Sequence, residues 1–163
     1  MKAIESRSLK SFILLECLRP MLTFYTLLDF CDREGLRVLR VNLDGSQLET
    51  LVRVADWQKE PEKVKDQTNW CVGIAVSPKN GKFYWTQKGP SKGSQGRIFS
   101  ANIDFPKGED AVSRKDIELV IGQLPEPIDL ELNEDESVLF WSDRGELPLG
   151  KSLARKKQAP RTH

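Results

Sequence analysis

Few residues in this chain have the types and spacing that chemistry requires. Gly145-Glu146-Leu147-Pro148-Leu149-Gly150-Lys151-Ser152 satisfies the phosphate-loop formula of glycine, four residues, then glycine-lysine-serine. The formula cradles phosphates only where a helix begins at its end, inside a parallel sheet, so that the first amides point at the anion. Here Phe140-Trp141-Ser142-Asp143 just before it reads as an antiparallel strand, and no later strand follows to carry a magnesium-binding aspartate. Nucleotide binding is therefore a formula match without its context. The single histidine is His163, which argues against a histidine base or a cluster of histidine ligands. Cys17, Cys31 and Cys71 have neither metal-ligand spacing nor the even count of a disulfide framework, and they fit a reducing compartment. With 25 basic and 24 acidic residues, for a net charge of +1, the charge balance calls for neither nucleic acid nor a membrane surface. No catalytic residue, metal site or cofactor is expected, and the absence of clean targeting signals gives a cytoplasmic location as the default.

The elements that would position a binding surface are strands. Val72 to Val76 is a short apolar run and Lys82 to Thr86 is aromatic and rich in β-formers. Between them Asn80-Gly81 offers the positive-φ residues of a tight hairpin turn. Both strands are apolar on both faces, which predicts a hairpin covered on both sides. The pattern returns at Ile128 to Leu132 and Val138 to Asp143, and a fainter copy of the second strand lies at Leu28-Asp29-Phe30-Cys31-Asp32-Arg33. Aligning Asp32, Gln87 and Asp143 gives steps of 55 and 56 residues, an internal repeat of the length expected for propeller blades. Leu36 to Leu43 and Gln47 to Val54 continue the first copy as a meander; Arg97 to Ile103 and Asp116 to Ile121 complete the second; Lys151 to Arg155 begins a third strand in the third. The blades are thus expected over about 28–54, 72–121 and 127–155, followed by a basic, disordered tail over 156–163. Phe12 to Leu28 is interrupted by Glu16, Arg19 and Pro20, too broken for a membrane span of about 20 apolar residues. Residues 1–27 read as a separate segment with a short helix stopped by Pro20.

Phe83-Tyr84-Trp85-Thr86-Gln87 and Leu139-Phe140-Trp141-Ser142-Asp143 resemble the Tyr-Trp-Thr-Asp repeat of the low-density lipoprotein receptor β-propellers. Asp32-Arg33-Glu34-Gly35, Arg40-Val41-Asn42-Leu43-Asp44-Gly45, Gly73-Ile74-Ala75-Val76 and Pro127-Ile128-Asp129-Leu130 are similar to its supporting pattern, and the long loops look most like the stand-alone soluble fungal and bacterial members. The resemblance implies an all-β, incomplete six-bladed propeller of four-stranded blades, with one full blade and parts of two more. It departs from the pattern at Gln87, where the aspartate is missing, and at Asp29-Phe30 in place of the aromatic pair. Tyr84, Trp85, Phe140 and Trp141 are expected to pack between blades, each ring burying about 150–250 Å². Asp32 and Asp143 are expected to accept hydrogen bonds across a blade boundary.

In a propeller the inner strand starts, and the second strand ends, at one rim. That rim would carry Arg33, Trp70, Lys88, Arg97, Glu126, Arg144 and Glu146, a mixed-charge surface with an exposed tryptophan that suits protein or peptide binding. A solvated loop face with Trp70 tucked beneath it is the plainer reading. The resemblance implies a non-catalytic binding module. The alternatives are a metal-dependent lactonase-like propeller, for which Asn69, Glu126 and Asp129 offer oxygen ligands, and a truncated product with no function of its own. Open blade edges also predict self-association.

Overall fold

The computed structural model of the chain describes residues 27–91, 93–145 and 154–157. Expectations about residues 1–26, Glu146, the phosphate-loop formula beyond Gly145 and the tail beyond Lys157 lie outside the described residues. Strands β1 (Leu27–Asp32), β2 (Arg37–Asn42) and β3 (Glu49–Arg53) form one sheet. A second sheet holds β4 (Cys71–Ser77), β5 (Lys82–Gln87), β6 (Gly96–Asn102) and β7 (Glu118–Leu124), and a third holds β8 (Pro127–Asn133), β9 (Val138–Asp143) and β10 (Ala154–Lys157). Every pairing is antiparallel and between chain neighbours. β1 and β8 lie on either side of β4, so the sheets stand as successive blades.

Side-chain alternation along β5 explains the stacking. Phe83 and Trp85 join Val38, Leu51, Val52, Cys71 and Ala101 in a core between the first and second blades. Tyr84, pointing the other way, joins Ile98, Leu130, Leu139 and Trp141 in a core between the second and third. The hairpin is covered on both sides, as its doubly apolar pattern predicts. Trp85 and Trp141 occupy the same place in the repeat and face the preceding blade in both copies. Phe83, Trp85 and Phe99 stack in sequence, with ring centroids 5.4 and 5.5 Å apart. Gly73 is required by close approach, because a Cβ there would fall 2.2 Å from the Ile128 carbonyl oxygen of the next blade.

Several boundaries differ from the sequence expectation. The hairpin between β4 and β5 is not a two-residue turn: Pro78–Asn80 forms a 3₁₀ turn, started by Pro78, and only Gly81 takes a positive φ, of 62°. The Ser77 hydroxyl accepts from the Asn80 amide and competes with a tighter turn. β7 starts at Glu118 and runs to Leu124, because Asp116 is drawn out of the strand to accept from the Asn102 amide and to pair with Arg114. β10 continues to Lys157 and pairs with β9, so the first residues assigned to the tail are strand. The long connection after β3 contains 3₁₀ turns at Pro61–Lys65 and Gln67–Asn69.

Candidate loop-face site

The repeat brings one set of loops to one rim: the β1–β2 turn, the end of the connection into β4, the β5–β6 loop, the β7–β8 link and the residues after β9. Trp70 is its centre. The Arg33 guanidinium lies 4.7 Å from the Trp70 ring centroid and the Lys88 ammonium 5.6 Å, both within cation–π range. Trp70 itself is half-buried, with its indole N–H donating to the Val64 carbonyl at 2.6 Å. The expected exposed tryptophan is therefore not Trp70 but Trp57, in the same connection, which the sequence reading overlooked.

Lys88 extends β5 and is buried. It ion-pairs with Glu126 of the next blade, and Arg144 binds the same carboxylate oxygen of Glu126. Glu126 is also buried, whereas the Arg144 side chain is 69% exposed. Burial works to raise the Glu126 carboxyl, but hydrogen bonds from Arg144, Lys88 and Ser91 and the Lys88 charge outweigh it and hold the carboxyl at about 2. Arg33 pairs with its neighbour Glu34, whose carboxyl that bond lowers. The rim residues Arg33, Trp70, Lys88, Glu126 and Arg144 thus form one contact chain through all three blades.

The repeat aspartates support this chain from within their own blades, and not across a boundary as expected. Asp143 accepts from the backbone amides of Glu126 and Gly145, at 2.8 and 2.9 Å, which fixes both loops that present the Glu126–Arg144 pair. Asp32 accepts from the Gly35 amide and from Arg37, both at 2.8 Å. The reason is reach: a short side chain at the end of the second strand sits beside its own blade's turn. Gln87, in the aspartate's place, accepts from Arg97 at 2.8 Å, and Arg97 also donates to the Thr68 carbonyl at 2.8 Å. Arg97 therefore holds the connection below Trp70 and stands beside the contact chain.

Crossings between blades come from the motif's threonine and from residues outside the motif. Thr86 Oγ1 accepts from the Gly73 amide at 2.8 Å and donates to the Ile128 carbonyl at 2.9 Å. Glu134 accepts from the Ser77 hydroxyl and the Lys79 amide. Arg114, fully buried, donates to the carbonyls of Leu51 and Asn102 and pairs with Asp116. Its Cζ lies 5.4 and 4.9 Å from the Phe83 and Phe105 rings. Nothing in the local sequence Ser113-Arg114-Lys115 signals this, since its partner Leu51 is 63 residues away.

The candidate lactonase ligands do not come together as a set. Glu126 is taken by two cations, the Asn69 amide donates to the Lys63 carbonyl, and Asp129 accepts from its neighbour's amide. Among the described residues no three His, Cys, Asp or Glu side chains are grouped to hold a metal ion. Nor is any helix there long and apolar enough to cross a membrane.

Comparison with known proteins matches this architecture. No family model matches the chain. It is 47% identical over 124 residues to the low-density lipoprotein receptor-related protein 1 of Pyricularia oryzae, covering 76% of this chain and 38% of that protein. It is 52% identical over 126 residues to the 3-hydroxyacyl-CoA dehydrogenase-like protein LAM1 of Cochliobolus heterostrophus, covering 77% of this chain and 26% of that one. The chain thus spans well under half the length of either relative. Among solved structures it superposes on a chain of the nidogen/laminin complex with a TM-score of 0.50 at 18% identity, over 75% of this chain and 38% of that one. The described chain is part of a β-propeller built from Tyr-Trp-Thr-Asp repeats of the low-density lipoprotein receptor type.

Proposed function

We propose that the chain is a non-catalytic module that binds protein or peptide on its loop rim. The observation that carries this reading is the contact chain from Arg33 through Trp70, Lys88 and Glu126 to Arg144, fastened at its buried members and exposed at its ends. A half-buried tryptophan flanked by cations, with the charged pair beneath it already desolvated, resembles the centre of a recognition patch more than a reacting centre. The name of the Pyricularia relative and the two-protein nidogen/laminin complex point the same way. The dehydrogenase-like name of the other relative describes a protein of which this chain covers 26%. Hydride transfer from a nicotinamide cofactor calls for a crevice at the ends of parallel strands, and the described strands all pair antiparallel.

Selection of displayed random peptides on the purified chain tests the reading. Rebinding is then compared for Arg144→Ala, on the rim, and Lys79→Ala, at the opposite end of the second blade. Arg144→Ala is expected to weaken the selected peptides at least about fivefold, the scale of losing a hydrogen bond to a charged group, and Lys79→Ala to leave them unchanged. The reverse pattern would place the binding surface elsewhere.

A further inference from the structure

Arg97 and Arg37 fill the same place in the repeat, each donating to the residue that ends the second strand of its blade. Their electrostatics differ. Arg37 meets Asp32 in an ion pair; Arg97 meets Gln87, an amide, and its charge is felt only at a distance by Asp66, whose carboxyl it helps to lower after the Thr68 hydrogen bonds. No carboxylate among the described residues ion-pairs with Arg97. Asp66, nearby in the connection, gives its carboxylate to the Thr68 amide and hydroxyl at 3.0 and 2.7 Å.

The Arg97 guanidinium is also pre-positioned. Nη2 is held by Thr68 and Gln87, and the group lies 5.2 Å from the Phe99 ring centroid. Its Nε is buried without a hydrogen-bond partner, so a ligand would meet the accessible part of this half-buried residue, with Nε–H as a nearby reporter of the charge it brings. Arg97 lines an open cleft of about 380 Å³ at the outer corner of the second blade, with Thr68, Ser94, Gln95, Leu119 and Gln123. Every one of those neighbours is uncharged, and Leu119 is 59% exposed. A single cation, neutral donors and one apolar wall suit a carboxylate carried next to an apolar side chain.

We infer that this cleft takes an acidic residue, adjacent to an apolar one, from the polypeptide bound at the loop rim. The inference rests on the binding reading above and names the chemistry of its partner. Gln87 is the determinant of specificity: an aspartate there would occupy Arg97 from within.

The test is an NMR titration of the whole chain with N-acetyl-leucyl-glutamate amide and with its glutamine counterpart, following the Arg97 Nε–H signal and the Leu119 methyls. A saturable shift is expected with the glutamate peptide, and binding about tenfold weaker with glutamine, the scale of losing a charge-assisted hydrogen bond. Gln87→Asp restores the repeat's aspartate and is expected to weaken the glutamate peptide by about tenfold while the folding midpoint holds. Equal responses to the two peptides, or none, overturn the inference, and that comparison on the unaltered chain decides even if Gln87→Asp fails to fold. If displayed peptides still depend on Arg144 when the glutamate preference is absent, this inference falls and the loop-face reading stands. A glutamate preference lost in Gln87→Asp supports the cleft even where displayed peptides do not depend on Arg144.

Discussion

The two faces of the middle blade are closed by different means. Toward the first blade, Phe83, Trp85 and Ala101 pack on Val38, Leu51 and Val52, and polar crossings include the buried Arg114, bonded to the Leu51 carbonyl, and the Arg53 amide, which donates to the Ala111 carbonyl at 2.9 Å. Toward the third, the apolar core is joined by polar fasteners: Glu134 at one end, Thr86 in the middle and the Lys88–Glu126 pair at the rim. Cys31 stands where Thr86 stands in the repeat, yet its thiol reaches only the Gly73 carbonyl, at 3.4 Å. Burial, and then the neighbouring Cys71, push that thiol far up; burial also drives the Cys71 thiol up, to about 12. A thiol packs where a hydroxyl fastens. One repeat register can thus be filled to seal an interface or to bolt it, and the bolted side is the one that carries charge to the loop face.

Substitutions can break this contrast, starting with the largest effect. Trp85→Ala removes a ring stacked between Phe83 and Phe99 and is expected to cost about 3–5 kcal/mol in denaturant unfolding. Trp141→Ala in the other interface is expected to cost less; equal losses would mean that the two cores are equivalent. Arg114→Met takes the guanidinium from Asp116 and from the buried Leu51 carbonyl, for a loss of about 3–5 kcal/mol, and a loss below about 1 kcal/mol would demote Arg114 to an ornament of the first interface. Lys88→Met leaves Glu126 with Arg144 and Ser91 and is expected to cost about 1.5–3 kcal/mol. Thr86→Val, which removes a donor and an acceptor in a fully buried position, is expected to cost about 1–2 kcal/mol. Cys31→Val should change stability by under about 1 kcal/mol.

Acid unfolding sharpens the same point. The folded chain holds the Glu126 carboxyl at about 2, below its ordinary 4.5. The unfolded chain therefore binds that proton more readily, and the stability this group contributes is complete above about pH 4.5 and lost as pH falls toward 2. Glu126→Gln should flatten the stability–pH profile in that window. An unchanged slope would mean that the buried pair does not fasten the second interface.

The repeat and the alternation of faces were legible because each strand carries its own pattern. Phe83-Tyr84-Trp85-Thr86 places two aromatics in one interface and one in the other whatever the rest of the chain does. The rim was legible from strand direction alone, which gathers Arg33, Lys88, Glu126 and Arg144 at one end. The fasteners were not. Arg114 works through a carbonyl in a different blade, and Glu134 through a serine 57 residues before it, distances over which no local periodicity reports. The inward reach of Asp32 and Asp143 escaped for the opposite reason: their partners lie in the same blade, Gly35 and Gly145 in the turns beside them and Glu126 just before the paired strand, so a blade boundary does not decide them. The hairpin at Ser77–Lys82 was misjudged because Asn80-Gly81 fits a two-residue turn until Ser77 and Pro78 are weighed with it.

The most direct test of a loop-face ligand site is hydrogen–deuterium exchange on the whole chain with and without a selected peptide. Added protection is expected in the rim segments, residues 32–36, 67–70, 87–91 and 124–127. Protection confined to the opposite turns, residues 78–81, 103–117 and 134–137, would contradict it.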